Sequence, residues 1–302
     1  MRILYLLSTM VCFVRANTLL PPSDFLGYKL GDKFTPHHLV VDYLFHVSQN
    51  EPNVKIIEYG KTYEGRPLML AFISSVDNMD KLEQIRKDNL TRAGIIKGST
   101  KTKKVGIVWL SYNVHGNEAN STEAAMKTLH ALADKSNITT QEWLKNTVVI
   151  IDPSVNPDGR DRYANWYRMT ANRWPDADPL GREHMEPWPG GRTNHYYFDL
   201  NRDWAWQTQI ESQQRIIKYN EWLPHIHVDF HEQGYNSPYF FAPAAKPLHQ
   251  YITDWQKDFQ KTIGLNHAKY FDRNNWLYFT KESFDLLYPS YGDTYPTYNG
   301  AI

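Results

Sequence analysis

Cysteine is nearly absent from this sequence of 302 residues, which has only Cys12. An intrachain disulfide is therefore excluded, and so are zinc sites built on several thiolates. Excess charge is absent as well, with Lys+Arg and Asp+Glu at 33 each. That balance argues against nucleic acid or an anionic membrane as a partner, because both are recognised by a basic surplus. The apolar run ILYLLSTMVCFV, residues 3–14, is too short to span a bilayer, so no stable membrane anchor is expected. No G-x-S-x-G, P-loop or G-x-G-x-x-G pattern occurs, and no H-E-x-x-H. Serine-hydrolase, nucleotide-binding and helix-borne zinc-protease readings lose their usual signatures.

The remaining composition is that of a globular chain able to bury a sizeable core, with 41% hydrophobic and 14% aromatic residues. Residues 1–16 differ from the rest. Arg2, the apolar run and then Ala16 have the form of a secretory signal peptide, whose removal would also remove Cys12. The expected organisation is a signal peptide at 1–16 and one catalytic domain over 17–302, secreted or periplasmic.

Along that domain, TPHHLVVDYLFHVSQ has apolar residues at helical spacing. NVKIIEYGKTYEGRPLMLAFISS reads as two strands around a glycine turn, and NMDKLEQIRKDNLTRAG as a surface helix capped at Gly94. KVGIVWLSYN and NTVVIIDPSV are nearly continuous apolar strands, and the helix STEAAMKTLHALAD lies between them. Such a βαβ unit implies a partly parallel sheet covered on both faces. The stretch from Arg160 to Leu200 loses periodicity yet is crowded with Trp, Tyr, Pro, Gly and Arg; we expect an ordered loop walling a pocket. A helix TQIESQQRIIKYNEWL, a strand HIHVDFHEQG and a helix near 247–262 follow.

Four constellations can carry chemistry. In SYNVHGNEANSTEA, His115 and Glu118 follow a central strand, where open α/β sheets place their ligands. At that spacing the two can converge on one metal ion. A catalytic zinc needs a third protein ligand. HIHVDFHEQG offers His225, His227 and His231 on one face of a strand. His231, at the strand end, is the candidate; the other two read as ordinary core or surface histidines. FDLNRDW contributes Asn201 and Arg202, an amide donor beside a guanidinium fork suited to a carboxylate. NPDG, at 156–159, is read as a turn.

His-x-x-Glu, NPDG, Asn-Arg and a strand-end His, in this order over residues 105–240, resemble the zinc carboxypeptidases of the M14 metallopeptidase family. The resemblance implies a three-layer α/β/α fold with a mixed, mostly parallel twisted sheet. It implies one Zn²⁺ held by His115, Glu118 and His231, and a substrate carboxylate held by Asn201 and Arg202. For the oxyanion arginine it indicates Arg168, with Arg173 as the neighbouring choice. For the tyrosine that caps the substrate it indicates Tyr298, with Tyr295 close by. The partner implied is a peptide or protein with a free C-terminal carboxylate. The family's general-base glutamate is expected on a strand after the tyrosine loop, whereas the last glutamate here, Glu282, precedes that loop; a fragment of a longer protein is the expectation. Two further readings are a zinc-dependent N-acyl amino acid deacylase and a non-catalytic module binding peptide C-termini or cell-wall fragments. Asn89, Asn120 and Asn137 lie in N-glycosylation sequons. A glycan on Asn120 would crowd Glu118, so that sequon is expected to be unused.

Overall fold

The computed structural model describes residues 18–302; the expected signal segment lies outside them. Five strands form the main sheet: β1 (Val54–Lys61), β2 (Pro67–Ile73), β3 (Gly106–Tyr112), β4 (Thr147–Asp152) and β5 (Ile226–Phe230), in the spatial order β1-β2-β4-β3-β5. β1 and β2 are joined by a tight turn with Gly65 at positive φ and so must run antiparallel. β2 also pairs antiparallel with β4, while β3 lies parallel to both β4 and β5. The sheet is mixed as expected, but parallel and antiparallel pairings are equal in number. The hairpin and its junction with β4 supply the antiparallel half.

Six helices exceed ten residues: α1 (His37–Asn50), α2 (Leu82–Arg92), α3 (Asn120–Ala133), α4 (Pro157–Thr170), α5 (Ile210–Trp222) and α6 (Asp254–Asn274). On one face of the sheet Val40, Tyr43 and Leu44 of α1 and Met126 and Leu129 of α3 pack against Met69, Ala71, Ile73 and Ile151. On the other, Leu82 and Ile85 of α2 and Ile216 and Tyr219 of α5 pack against Leu70, Phe72, Trp109 and Ile150. Alternate residues of β2 thus serve opposite cores, the period-two consequence of a strand buried on both faces. The result is the three-layer α/β/α arrangement.

Two expectations need correction. Residues 160–170, expected as the start of an irregular loop, belong to helix α4, and NPDG, expected as a turn, is its start: Asn156 caps the helix by accepting from the Gly159 N–H at 3.0 Å, with Pro157 in the first turn. No apolar stripe betrays this helix, because the charged residues Asp158 and Arg160 stand among its few buried ones. Asp158 accepts from Thr62 and Arg66, and Arg160 bonds Glu123 and the Thr35 carbonyl. Only residues beyond Thr170 form the irregular loop. The late helix begins at Asp254, where Thr253 and Gln256 form a capping box, rather than near residue 247. Asn89 is buried and donates to the Trp222 and Leu223 carbonyls, so this sequon has no room for a glycan in the folded chain.

The Glu123–Arg160 pair is enclosed, with Arg160 fully buried and Glu123 also bonded to Thr35. Glu123→Ala is expected to destabilise the fold by ~3–5 kcal/mol in denaturant titration, because it leaves an unpaired buried guanidinium. His37 is buried, and burial holds its pKa down at about 4 against the upward pull of its bond to the Pro67 carbonyl and of Asp161. It stays neutral in the fold while the unfolded chain takes a proton. Its contribution is therefore complete above about pH 6.5 and falls away as the pH drops towards about 4. His37→Gln should flatten the decline of unfolding free energy across that window, by on the order of 3 kcal/mol over its full width.

Candidate metal centre

β3 and β5 run side by side with Tyr112 opposite Phe230, their rings stacked at 4.1 Å. The chain leaves both strands at the same edge of the sheet, so His115, three residues on, and His231, one residue on, converge. The facing atoms of His115, Glu118 and His231 lie within 4.8 Å of one another. His115 Nδ1 is 2.7 Å from Glu118 Oε1 and 3.2 Å from His231 Nδ1, and His231 Nδ1 is 3.0 Å from Glu118 Oε2. Each imidazole turns its other nitrogen to a carboxylate: His115 Nε2 to Asp199 Oδ1 at 3.2 Å, His231 Nε2 to Asp229 Oδ2 at 2.9 Å. Hydrogen bonding at the far nitrogen fixes the orientation of each ring and turns both Nδ1 atoms towards Glu118.

The loops are placed by close backbone packing. A Cβ on Gly116 would meet Arg160 N at 2.2 Å and Gly191 O at 2.4 Å, so HGNE, the start of α4 and the GGR segment fit together only without that side chain. Val114, Val155 and Leu200 form a small buried cluster that pins the 3₁₀ turn Leu200–Arg202 beside the histidines. That turn sets Asp199 at His115 and Asn201 at His231, where Asn201 Nδ2 lies 3.3 Å from Nε2. Since Nε2–H already donates to Asp229, the Asn201 amide gains no acceptor from that nitrogen. Asn201 Oδ1 accepts from the Gly292 N–H at 2.8 Å. Arg202 is half exposed, with its guanidinium 4.5 Å from the Tyr291 ring centroid.

The electrostatics favour a cation at the three facing atoms. Burial alone would raise the Glu118 pKa, but bonds from His115 and His231 hold it down at about 2. Burial likewise opposes charge on His231, yet Asp229 and Glu118 raise its pKa to about 11. His115 is shifted upward by Asp199 and Glu118 against its burial, and His115 and Arg192 depress Asp199 against the same penalty. Three carboxylates around two imidazoles make a site where positive charge is strongly stabilised.

The two residues indicated by the resemblance alone lie in other contacts. Arg168, in the last turn of α4, is exposed and donates to the Phe34 carbonyl at 2.8 Å and to Asn165; Arg173 stacks on Trp174. The arginine beside the cluster is Arg192, with Nη1 3.9 Å from Glu118 Oε1 and Nη2 3.0 Å from Asp199 Oδ2. Tyr298 donates to the Leu287 carbonyl and rests on His249, whereas Tyr291 covers Arg202. His225 accepts from the Ile107 N–H, and His227 contacts Tyr219 and Trp204, both away from the cluster. The sequence reading missed Asp199, Arg192, Asp229 and Tyr291. Asp199 stands inside the FDLNRDW motif and Asp229 two residues before His231 on the same strand face, so both had a local signal. Arg192 is one of several arginines in a loop without periodicity and had none.

A mixed α/β/α sheet that brings two histidines and a carboxylate together beyond its parallel strand ends makes a candidate metal centre. The profile of the zinc carboxypeptidases, Peptidase_M14, matches residues 40–265, and the chain belongs to that family. Among solved structures it is similar to carboxypeptidase A from Helicoverpa armigera, with 18% identity, TM-score 0.60, and 93% of this chain and 68% of that one covered. It is also similar to a metallo-carboxypeptidase from Burkholderia cenocepacia, with 18% identity, TM-score 0.58, and 88% and 58% covered. A metallo-carboxypeptidase from Pseudomonas aeruginosa gives 12% identity, TM-score 0.52, and coverage of 88% and 57%. The chain thus spans less than two thirds of the two bacterial structures. No curated protein matches it.

The donor set fits zinc: two imidazole nitrogens and one carboxylate, each imidazole braced by a second carboxylate, the form of His₂Glu catalytic sites. The purified protein is expected to bind one zinc per chain, and His115→Ala to abolish stoichiometric binding, as read by elemental analysis after dialysis.

Proposed function

We propose that the protein is a secreted zinc-dependent metallocarboxypeptidase that hydrolyses the C-terminal peptide bond of peptides or proteins. The observation that carries this reading is the juxtaposition of Asn201 and Arg202 with the His115–Glu118–His231 cluster. A carboxylate-binding fork next to a hydrolytic metal directs attack to the bond nearest a substrate's free C-terminus. Secretion rests on the character of residues 1–16. Among the described residues, no helix is long and apolar enough to cross a membrane.

Bound zinc supplies Lewis-acid polarisation of the scissile carbonyl and a water acidified towards neutrality. The remaining work falls to side chains of this chain. Arg202 and the Asn201 amide take the terminal carboxylate, and Tyr291 holds the Arg202 guanidinium from the far side. Arg192, rather than Arg168, presents its guanidinium beside Glu118, where it can stabilise the oxyanion that develops on the carbonyl. Removal of one such donor commonly costs ~10²–10³ in rate. Tyr298, bonded to the Leu287 carbonyl, is not given the capping role. No glutamate of the present chain is assigned as general base. Exposed aromatics of the loop, Trp188, Tyr196, Tyr197 and Phe198, provide contact area for a substrate longer than an acyl amino acid, which favours the peptidase over the deacylase.

Mass spectrometry of a peptide incubated with the protein should show stepwise loss from the C-terminus and no loss from the same peptide ending in an amide. Release of only an acyl group from N-acyl amino acids would select the deacylase, and zinc binding without turnover the binding module. Arg202→Met should weaken productive binding of carboxylate-ended substrates by ~10–100-fold, the worth of a charged hydrogen bond, seen chiefly in KM.

A further inference from the structure

Asp229 belongs to none of the motifs that mark the family in this sequence, yet it makes the shorter of the two contacts from a carboxylate to the far nitrogen of an imidazole. Its Oδ2 lies 2.9 Å from His231 Nε2, and its side chain is 2% exposed. The other polar neighbour of that nitrogen, Asn201 Nδ2 at 3.3 Å, is a donor and cannot receive Nε2–H. Asp199, which plays the comparable part at His115, is more exposed and shares its charge with Arg192 and Arg202. The ion pair found for Asp229 among the described residues is with His231 alone. β5 also holds it firmly. Asp229 sits opposite Ser111 of β3 in the parallel β3–β5 ladder at the edge of the sheet.

We propose that Asp229 is a positioning residue for the metal centre: its buried carboxylate holds the His231 imidazole with Nδ1 turned towards His115 and Glu118, in a space that Gly292 keeps open. A Cβ on Gly292 would stand 2.2 Å from Asp229 Oδ2 and 2.8 Å from Trp204 Nε1. Any larger residue there must displace the carboxylate or the indole. The same glycine donates its N–H to Asn201 Oδ1, so the segment after Tyr291 braces both the metal-facing histidine and the carboxylate-binding amide. This inference rests on the zinc-centre reading above.

The test is zinc affinity, measured by chelator competition on the purified protein, with the ligand-field absorption of the cobalt-substituted form as a second readout. Asp229→Asn keeps the size of the side chain and removes its charge. It is expected to weaken zinc binding by ~10–100-fold, the usual cost of losing a carboxylate behind a ligating histidine, and to shift the cobalt bands. Gly292→Ala should move both readouts in the same direction without altering a single ligand or its hydrogen-bonding group. Thermal unfolding of the metal-free variants checks that each is folded; should Asp229→Asn fail to fold, Gly292→Ala carries the test. Folded variants with zinc affinity within twofold of the parent and unchanged cobalt spectra would overturn the positioning role and leave the zinc centre standing. A parent protein that binds no zinc would overturn both.

Discussion

The register between β3 and β5 is the constraint on which the site depends. Tyr112 faces Phe230 across a parallel pair, and from that point each chain has only one to three residues in which to place its histidine. A shift of one residue on either strand would move that strand's side chains to the opposite face of the sheet. The stacked rings of Tyr112 and Phe230 and the apolar cores on both faces hold this register. The metal site inherits the rigidity of the ladder instead of the mobility of loops.

Around this frame the chain surrounds a small volume with negative charge and sets arginines at its rim. Glu118, Asp199 and Asp229 face two imidazoles, while Arg192 lies beside Glu118 and Asp199 and Arg202 beside Asp199. The carboxylates stabilise positive charge in that volume and fix the histidines. The arginines remain partly exposed, where an incoming anion can compete for them. A protein of zero formal charge thus separates charge locally over a few ångströms, which bulk composition cannot reveal.

Much of the architecture was legible because burial on both faces writes itself as continuous apolar strands, as in KVGIVWLSYN and NTVVIIDPSV. Helix α4 was not, since the charged residues Asp158 and Arg160 stand among its few buried ones. The three metal-facing residues could be chosen from spacing and strand ends. Arg168 and Tyr298 were indicated by the resemblance alone, and position along the chain says little about which side chains tertiary contacts bring to the cluster. Arg192 reaches the cluster because Gly116 and Gly191 let two backbones touch, and Tyr291 reaches Arg202 because its loop folds back over the Asn-Arg turn.

By itself the sequence determined the order of the apolar strands and the helices packed on them, α4 excepted, and the residue types able to hold a metal and a carboxylate, because these depend on local pattern and on side-chain chemistry. Only the tertiary structure decided which carboxylate braces which histidine, which arginine lies beside Glu118 and which tyrosine covers Arg202. Apart from Asp229 and His231, which are two positions apart, those choices join residues distant in the chain, as in the contact of Asp199 with His115, 84 positions away. Such pairs are fixed by sheet register and by backbone packing at glycine, neither of which leaves a periodic mark in the chain.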